Sequence, residues 1–141
     1  MLDEGECKHP KVAAIMNDSN RLKDRRVLVV EDEAMIALMM EDMLADLGCT
    51  VVGPAEGVPQ ALELVAGSGL IDVAVLDVNV GGRPVFEVAD LLRAKGVPMV
   101  FSTGYGDGGL RDLDRGAPVL RKPFRSGELA MALQQALGIE V

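Results

Sequence analysis

Short β-branched segments alternate with longer stretches of helical period from Arg26 onward, and this alternation constrains the fold more than any other feature of the sequence. Several of the short segments are apolar almost throughout, which is typical of parallel strands covered by helices on both faces. The predicted strands are Val27–Val30, Thr50–Gly53, Ile71–Leu76, Pro98–Ser102 and Pro118–Leu120. The pattern therefore predicts an α/β fold with an open five-stranded parallel sheet.

The segments between the strands have the periodicity and end signals of amphipathic helices. Ala34–Leu47 carries apolar residues at spacings of three and four, and Gly48 follows as a C-terminal cap. Two further helices each have a proline near the first turn and a glycine just after the end; they are Pro59–Ala66 and Pro84–Lys95. The last predicted helix is Ser126–Leu137, with Ser126 as its N-cap.

The segment Gly104–Gly116 does not fit this regular pattern, because it contains five glycines. Each glycine inside a helix costs about 1 kcal/mol relative to alanine. We therefore expect a fourth helix that is short and frayed, or a mobile loop, in this position.

Length and charge exclude several classes of protein. A chain of 141 residues that is 49% hydrophobic can bury the core of one domain. We expect residues 1–25 to form a flexible tail and residues 26–141 to form the folded domain. The formal net charge of -8 repels phosphate backbones and anionic lipids, so neither nucleic acid nor a membrane is an expected partner.

The sequence contains no transmembrane or secretion signal. The longest apolar run, Ala34–Met40, is far shorter than the roughly 18 residues of a spanning helix, and charges interrupt the first 20 residues. We therefore expect a soluble, cytoplasmic protein. Its cysteines, Cys7 and Cys49, show no metal-binding or redox spacing, so both are predicted to be reduced and without function. The only histidine, His9, lies in the predicted tail and is interpreted as a solvated residue.

Polar residues follow four of the predicted strands, at the edge of the sheet where α/β proteins bind ligands. Glu31 and Asp32 follow the first strand, Asp77 and Asn79 the third, Thr103 the fourth and Lys122 the fifth. If the strands lie side by side, carboxylates, a hydroxyl and an ammonium group meet in one pocket.

Such a pocket suits magnesium-assisted phosphoryl transfer. Crowded carboxylates raise one another's pKa unless a cation lies among them, and Mg²⁺ prefers oxygen ligands. Asp77 would then be an ionised nucleophile, while Lys122 and the metal compensate charge on the phosphoryl oxygens. Thr103 would supply a hydroxyl donor.

Each of these residues also has a simpler structural interpretation. The three acids Glu31, Asp32 and Glu33 suit the first turn of a helix, and for Glu33 this interpretation is favoured. Asp77 taken alone could be a turn residue, and Lys122 a solvated surface charge. Matched polar groups at four strand ends favour the functional interpretation of the set.

These residues together resemble the receiver domain of bacterial two-component response regulators, the CheY-like family, over about Arg26–Leu137. The resemblance implies a flavodoxin-like strand order of 2-1-3-4-5, with helices on both faces. It also implies that Asp77 accepts a phosphoryl group from a histidine kinase or a histidine phosphotransfer protein. The other implied roles are metal binding by Glu31, Asp32, Asp77 and the backbone carbonyl of Asn79, a switch hydroxyl on Thr103, and a cis Lys122–Pro123 peptide.

Two departures from the common receiver pattern concern the switch. Val119 occupies the strand-five position where most receivers have an aromatic switch residue, so the usual coupling to Thr103 cannot operate in its ordinary form. Phe101–Tyr105 is similar to the FAT GUY branch, in which single-domain receivers often accompany HWE or HisKA2 histidine kinases. We therefore expect such a kinase, with Tyr105 taking part in switching through the glycine-rich segment.

The resemblance implies a phosphoacceptor switch rather than an enzyme, with self-catalysed phosphorylation and autodephosphorylation only. No output domain is evident, so a downstream protein partner is expected, with the chain a monomer or a phosphorylation-dependent dimer. Two alternatives stay open: an aspartyl phosphatase of the haloacid-dehalogenase kind, and a receiver-like binding module that is never phosphorylated. The phosphatase class requires an aspartate two residues after the nucleophile, where this chain has Asn79.

Overall fold

The computed structural model describes residues 21–104 and 109–139, and these contain a five-stranded parallel sheet. The strands are β1 (Arg26–Val30), β2 (Thr50–Ala55), β3 (Val73–Asp77), β4 (Met99–Thr103) and β5 (Val119–Arg121). Their order across the sheet is β2-β1-β3-β4-β5, and every neighbouring pair is parallel. The predicted fold class and strand order are therefore confirmed.

Helices cover both faces of this sheet. They are α1 (Ala34–Asp46), α2 (Val58–Gly67), α3 (Phe86–Ala94) and α4 (Ser126–Ala136). Successive residues of a strand point to opposite faces, so Leu28 and Val30 belong to the core under α2 and α3, whereas Val27 and Val29 belong to the core under α1 and α4. The three central strands are buried on both sides, which explains why their sequences are mostly apolar.

A small hairpin between β3 and α3 was not predicted. Asn79–Val80 pairs antiparallel with Arg83–Pro84, and the connecting Gly81 and Gly82 both have positive φ. Two central residues with positive φ suit a tight hairpin turn, and glycine adopts this conformation without strain. The prediction that α3 starts at Pro84 was therefore wrong, because this proline belongs to the hairpin and the helix begins at Phe86.

The N-cap of the last helix is Arg125, one residue before the predicted Ser126. Arg125 has the extended backbone of an N-cap, and its amide donates to the Glu128 carboxylate at 2.8 Å. Ser126 is instead the first residue of α4. A glutamate three residues after the cap can satisfy the free amide of the cap residue, which is the contact observed here.

The last residues of the predicted tail are part of the folded domain. Leu22 is 2% exposed and packs in the core under α1 and α4, and the amide of Asp24 donates to the Gly48 carbonyl at 2.7 Å. The Cys49 thiol donates to the Leu22 carbonyl at 3.3 Å, and burial raises the pKa of Cys49 to about 11. Folded structure therefore starts before Arg26; residues 1–20, with Cys7 and His9, lie outside the described residues.

The described residues of the glycine-rich segment, Gly104 and 109–116, contain a short 3-10 helix, Asp112–Asp114, and no regular α-helix. Leu110 is buried in the core, and the Asp114 carboxylate, 1% exposed, pairs with Arg93 of α3 and lies 2.7 Å from Nε of Arg111. The Arg111 guanidinium also lies 4.4 Å from the centroid of the Phe86 ring. The predicted short helix is confirmed, and residues 109–116 are held against α3 by buried charge and apolar contact.

None of the described helices has the length and apolar character that crossing a membrane requires.

Replacing Leu22 by alanine should lower the free energy of unfolding by about 2–4 kcal/mol, because a fully buried leucine leaves a cavity when truncated. Denaturant unfolding measures the change. The matched control is Lys23→Ala at the exposed neighbouring position, which should be close to neutral. Equal stability of the Leu22 variant and the wild type would show that the core does not include this residue.

Replacing Asp114 by asparagine should destabilise the fold by about 3 kcal/mol, since it leaves Arg93 and Arg111 without their buried counter-charge. Asp112→Asn is the matched control, because Asp112 lies in the same 3-10 helix with its side chain in solvent, and little change is expected there.

The stability that is lost on replacing Asp114 by asparagine should also depend on pH. Burial alone would raise the pKa of Asp114, but hydrogen bonds from Arg111 and Arg93 outweigh it and lower the pKa below 3.8. A carboxyl whose folded pKa is depressed stabilises the protein above its unfolded pKa and loses that contribution as the pH falls through the folded pKa. The difference between wild type and Asp114→Asn should therefore be constant from pH 5 to 7 and shrink below about pH 4.

Candidate functional site

A pocket of about 720 Å³ opens at the carboxyl ends of the central strands, where the sequence predicted it. It is lined by Asp32, Glu33, Ile36, Met39, Asp77, Asn79, Thr103, Gly104, Lys122, Pro123 and Phe124. These residues come from the carboxyl ends of β3 and β4, from the segments that follow β1, β3, β4 and β5, and from the first turns of α1. Parallel order of the strands brings the four segments to the same edge of the sheet.

Three carboxylates meet at the base of this pocket. Glu31, Asp32 and Asp77 each offer one oxygen, and these oxygens all lie within 4.8 Å of one another. Glu31 is 1% exposed and Asp77 is 8% exposed, whereas Asp32 is open to solvent. β1 and β3 are direct neighbours in the sheet, so the acids that follow Val30 and Leu76 are necessarily close.

Lys122 is placed among these acids. Its Nζ lies 2.8 Å from Oε1 of Glu31 and 3.0 Å from Oδ2 of Asp77. Burial tends to lower the pKa of Lys122, but the hydrogen bonds to Glu31 and Asp77 outweigh it and raise the pKa. Lys122 is therefore a firmly protonated ammonium group. The Lys122–Pro123 peptide is cis, as the family resemblance implied.

Glu31 is the most deeply buried acid of the site. Its pKa is raised, chiefly because burial penalises the charged carboxylate; the hydrogen bond from Lys122 opposes this shift, and the charge of Asp77 adds to it. The remaining oxygen, Oε2, accepts the amide of Glu33 at 3.1 Å. Oε2 is thus held by a hydrogen bond, and Oε1 contacts Lys122 as an ion pair.

The unpredicted hairpin positions two more parts of the site. The amide of Gly81 donates to Oδ2 of Asp32 at 2.9 Å, and the amide of Asn79 lies 3.4 Å from Oδ1 of Asp77. The Gly81–Gly82 pair, which is typical of a two-residue hairpin turn, is the sequence signal that could have revealed this element. The hairpin therefore fixes the orientation of the exposed acid.

Thr103 and the switch region are only partly described. Thr103 is buried at the end of β4 and lines the pocket. Its backbone carbonyl accepts a hydrogen bond from the backbone amide of Lys122 at 2.8 Å. Val119 pairs with Phe101 at the edge of the sheet and is partly exposed, so no aromatic ring occupies this strand-five position. Tyr105 lies outside the described residues.

Glu33 belongs to the site, which its sequence interpretation did not anticipate. It is the N-cap residue of α1, but its side chain makes no capping hydrogen bond. Its carboxylate lines the pocket with Oε1 3.8 Å from Nζ of Lys122, and the side chain is 64% exposed. The favoured interpretation of Glu33 as an acid that only complements the helix dipole is therefore incomplete.

The donor set of the three clustered acids is compatible with a hard divalent cation. It consists of carboxylate oxygens with no thiolate or imidazole, and it leaves room in an open pocket for water ligands. Mg²⁺ binds through one or two carboxylates and keeps several waters. The predicted metal residues Glu31, Asp32 and Asp77 thus form one cluster, and Asn79 lines the same pocket.

Comparison with known families agrees with this geometry. The response regulator receiver domain matches residues 27–134, and the chain therefore belongs to this family.

Two similar solved structures support the resemblance to the FAT GUY branch of receivers. The solution structure of SdrG from Sphingomonas melonis Fr1 is 42% identical, with a TM-score of 0.73, and the match covers 84% of this chain and 98% of that one. The receiver domain of PhyR from Erythrobacter litoralis is 28% identical, also with a TM-score of 0.73, covering 85% of this chain and 95% of that one.

Curated relatives are longer than the matched region. The regulator PhyR of Methylorubrum extorquens is 30% identical over 115 residues, which are 79% of this chain and 43% of that protein. The regulator PdtaR of Mycobacterium tuberculosis is 33% identical over 124 residues, which are 85% of this chain and 60% of that protein. The chain thus spans about half the length of these relatives.

Proposed function

We propose that this response regulator receiver is a phosphoacceptor switch, in which Asp77 takes a phosphoryl group from a phosphohistidine donor in a Mg²⁺-dependent reaction. The observation that carries the proposal is the position of Asp77 at the base of an open pocket, 3.0 Å from Lys122 and within 4.8 Å of the acid pair Glu31 and Asp32. A solved structure of SdrG, 43% identical with a TM-score of 0.69, is described as its BeF3-activated conformation, which supports the extension to this chain.

In the proposed transfer, a carboxylate oxygen of Asp77 attacks phosphorus while the bond from phosphorus to the donor nitrogen breaks. The donor imidazole is protonated on its other nitrogen, so it leaves as neutral imidazole and no external acid is needed. Lys122 is already within hydrogen-bond distance of Asp77, and its ammonium can compensate charge on the phosphoryl oxygens without a large rearrangement. The hydroxyl of Thr103, in the lining of the same pocket, is the proposed further donor.

Glu31 and Asp32 are the proposed metal pair, together with Asp77 and the backbone carbonyl of Asn79. When bound, Mg²⁺ supplies positive charge that offsets the repulsion between these carboxylates and the incoming phosphoryl group. The protein contributes the orientation: Lys122 holds Glu31, and the Gly81 amide holds Asp32.

The output of the switch is proposed to run through the segment that follows Thr103. A phosphoryl group adds nearly two negative charges at Asp77, which attract Thr103 and Lys122. Because residues 109–116 are held to α3 through Asp114 and Arg111, we expect the change to occur mainly between Gly104 and Gly109, with Tyr105 taking part. This is narrower than the glycine-rich region 104–116 as a whole.

The proposed partners follow from this function. A histidine kinase, of the HWE or HisKA2 type, or a histidine phosphotransfer protein supplies the phosphoryl group, and a cytoplasmic downstream protein reads the switch. Phosphorylation-dependent dimerisation is the alternative readout. The net charge of -8 argues against direct contact with nucleic acid or an anionic membrane.

Incubation with acetyl phosphate and Mg²⁺ should produce a single phosphoryl adduct on Asp77, detected by intact-mass measurement as acid-stable and base-labile. Asp77→Asn should abolish the adduct, because the amide cannot act as the nucleophile. Asp46→Asn, at the exposed end of α1, is the matched control and should be labelled like the wild type. Rapid turnover of many phosphate esters would indicate a phosphatase instead, and absence of any adduct would indicate a binding module.

Mg²⁺ should raise the thermal stability of the wild type, because a ligand that binds only the folded state adds about 2.7 kcal/mol at one hundred times its Kd. Asp32→Asn should greatly reduce this gain, while the variant without Mg²⁺ should be no less stable than the wild type since it removes repulsion among the acids. Thermal melts at several Mg²⁺ concentrations measure both effects. Asp42→Asn, exposed on α1, is the control; an equal Mg²⁺ shift in both variants would contradict the assigned metal site.

A further inference from the structure

Glu33 is the one acid of the pocket that the proposed transfer reaction does not use. Its side chain makes no capping bond to α1, although its backbone carbonyl accepts the first helical hydrogen bond from Ala37 at 2.9 Å. The carboxylate instead projects over the pocket, 64% exposed and 3.8 Å from the ammonium of Lys122. It therefore lines the pocket from a solvent-exposed position, whereas Glu31 and Asp77 are buried.

The pocket carries a large excess of negative charge. Glu31, Asp32, Glu33 and Asp77 surround it, and Lys122 is the only basic residue among the described residues that line it. A bound divalent cation would offset part of this charge at the base of the pocket, next to the clustered acids. Glu33 is not one of the three clustered acids and its side chain is largely exposed, so its charge faces a molecule that approaches from solvent.

We infer that Glu33 sets the phosphodonor selectivity of the site by disfavouring strongly anionic donors. This inference rests on the proposed phosphoacceptor function and names the class of donor that fits it: a phosphoryl group on nitrogen, such as a phosphoimidazole, whose protonated leaving group reduces the net charge. Acyl phosphates, which approach as dianions, are penalised. Glu33 is thus a specificity-determining residue, and it takes no part in forming or breaking the bond to phosphorus.

The size of the effect follows from donor charge. A unit negative charge about 7 Å from a dianion in water lowers the rate of encounter with that dianion roughly five- to tenfold at low ionic strength. The same charge changes the encounter of a singly charged donor by about the square root of that factor, or roughly two- to threefold. Screening reduces both effects at high salt, because the Debye length falls to a few ångströms. This dependence on donor charge separates a field effect from a change in the geometry of Lys122.

The test compares two small donors, acetyl phosphate and phosphoramidate, at fixed Mg²⁺ with intact-mass detection of the adduct. Near pH 7 acetyl phosphate is a dianion, whereas the ammonium group of phosphoramidate leaves it a single net negative charge. At low salt Glu33→Gln should accelerate labelling by acetyl phosphate about five- to tenfold and by phosphoramidate about two- to threefold. Glu33→Lys should increase both rates further, and high salt should bring all variants together.

Asp42→Asn is the matched control, because it removes the same charge from the same helix about 14 Å further along its axis. With acetyl phosphate at low salt it should raise the labelling rate about twofold at most, against the five- to tenfold expected for Glu33→Gln, because the Coulomb energy falls with distance. Since Glu33 is largely exposed, the variants should fold normally, which thermal melts verify.

The outcomes separate this inference from the proposed function. If the wild type is labelled but Glu33→Gln matches it with both donors, or accelerates both donors by the same factor at every salt concentration, the selectivity role is wrong while the phosphoacceptor function stands. If neither donor labels the wild type, the proposed function fails and this inference fails with it.

Discussion

The arrangement of the site depends on one ammonium group placed among carboxylates. Lys122 is the group that lets Glu31 and Asp77 lie together in a mostly buried position, since crowded carboxylates without a counter-charge would take up protons. The ion pairs are possible only because the strand order β2-β1-β3-β4-β5 brings the end of β5 within reach of β1 and β3. In the chain, Lys122 lies 45 positions from Asp77 and 91 positions from Glu31. The chemistry proposed for Asp77 thus rests on contacts between distant parts of the sequence.

A second group of charges fixes the position of residues 109–116, which the structure describes with a 3-10 helix only. The glycines after β4 disfavour a fourth α-helix, but Leu110 and Asp114 are buried and Arg93 and Arg111 satisfy the acid. A buried ion pair is costly to break and gives little net stability over apolar packing, so its main consequence is a defined position for the segment. The proposed conformational change, which we place between Gly104 and Gly109, therefore lies next to a segment whose position is fixed.

Several elements could be predicted from local sequence because their cause is local. The apolar runs of β1, β3 and β4 follow from burial on both faces, and α1 follows from its periodicity and from Gly48. The predictions failed where a neighbouring element decided the outcome. Pro84 looks like a helix start but pairs with Asn79 in the hairpin, and Leu22 looks like part of a polar tail but packs in the core.

The sequence by itself determined which polar residues end the strands, and hence the acid pair, Asp77, Thr103 and Lys122 as the candidate site. It also predicted a short helix at most within Gly104–Gly116, because glycine opposes helix formation, and the described residues there form the 3-10 helix Asp112–Asp114. Only the tertiary structure decided that Glu33 faces Lys122 and that the Gly81 amide holds Asp32. The physical reason is that strand ends follow from local pattern, whereas the direction of a side chain beyond a strand depends on elements that pack there from distant parts of the chain.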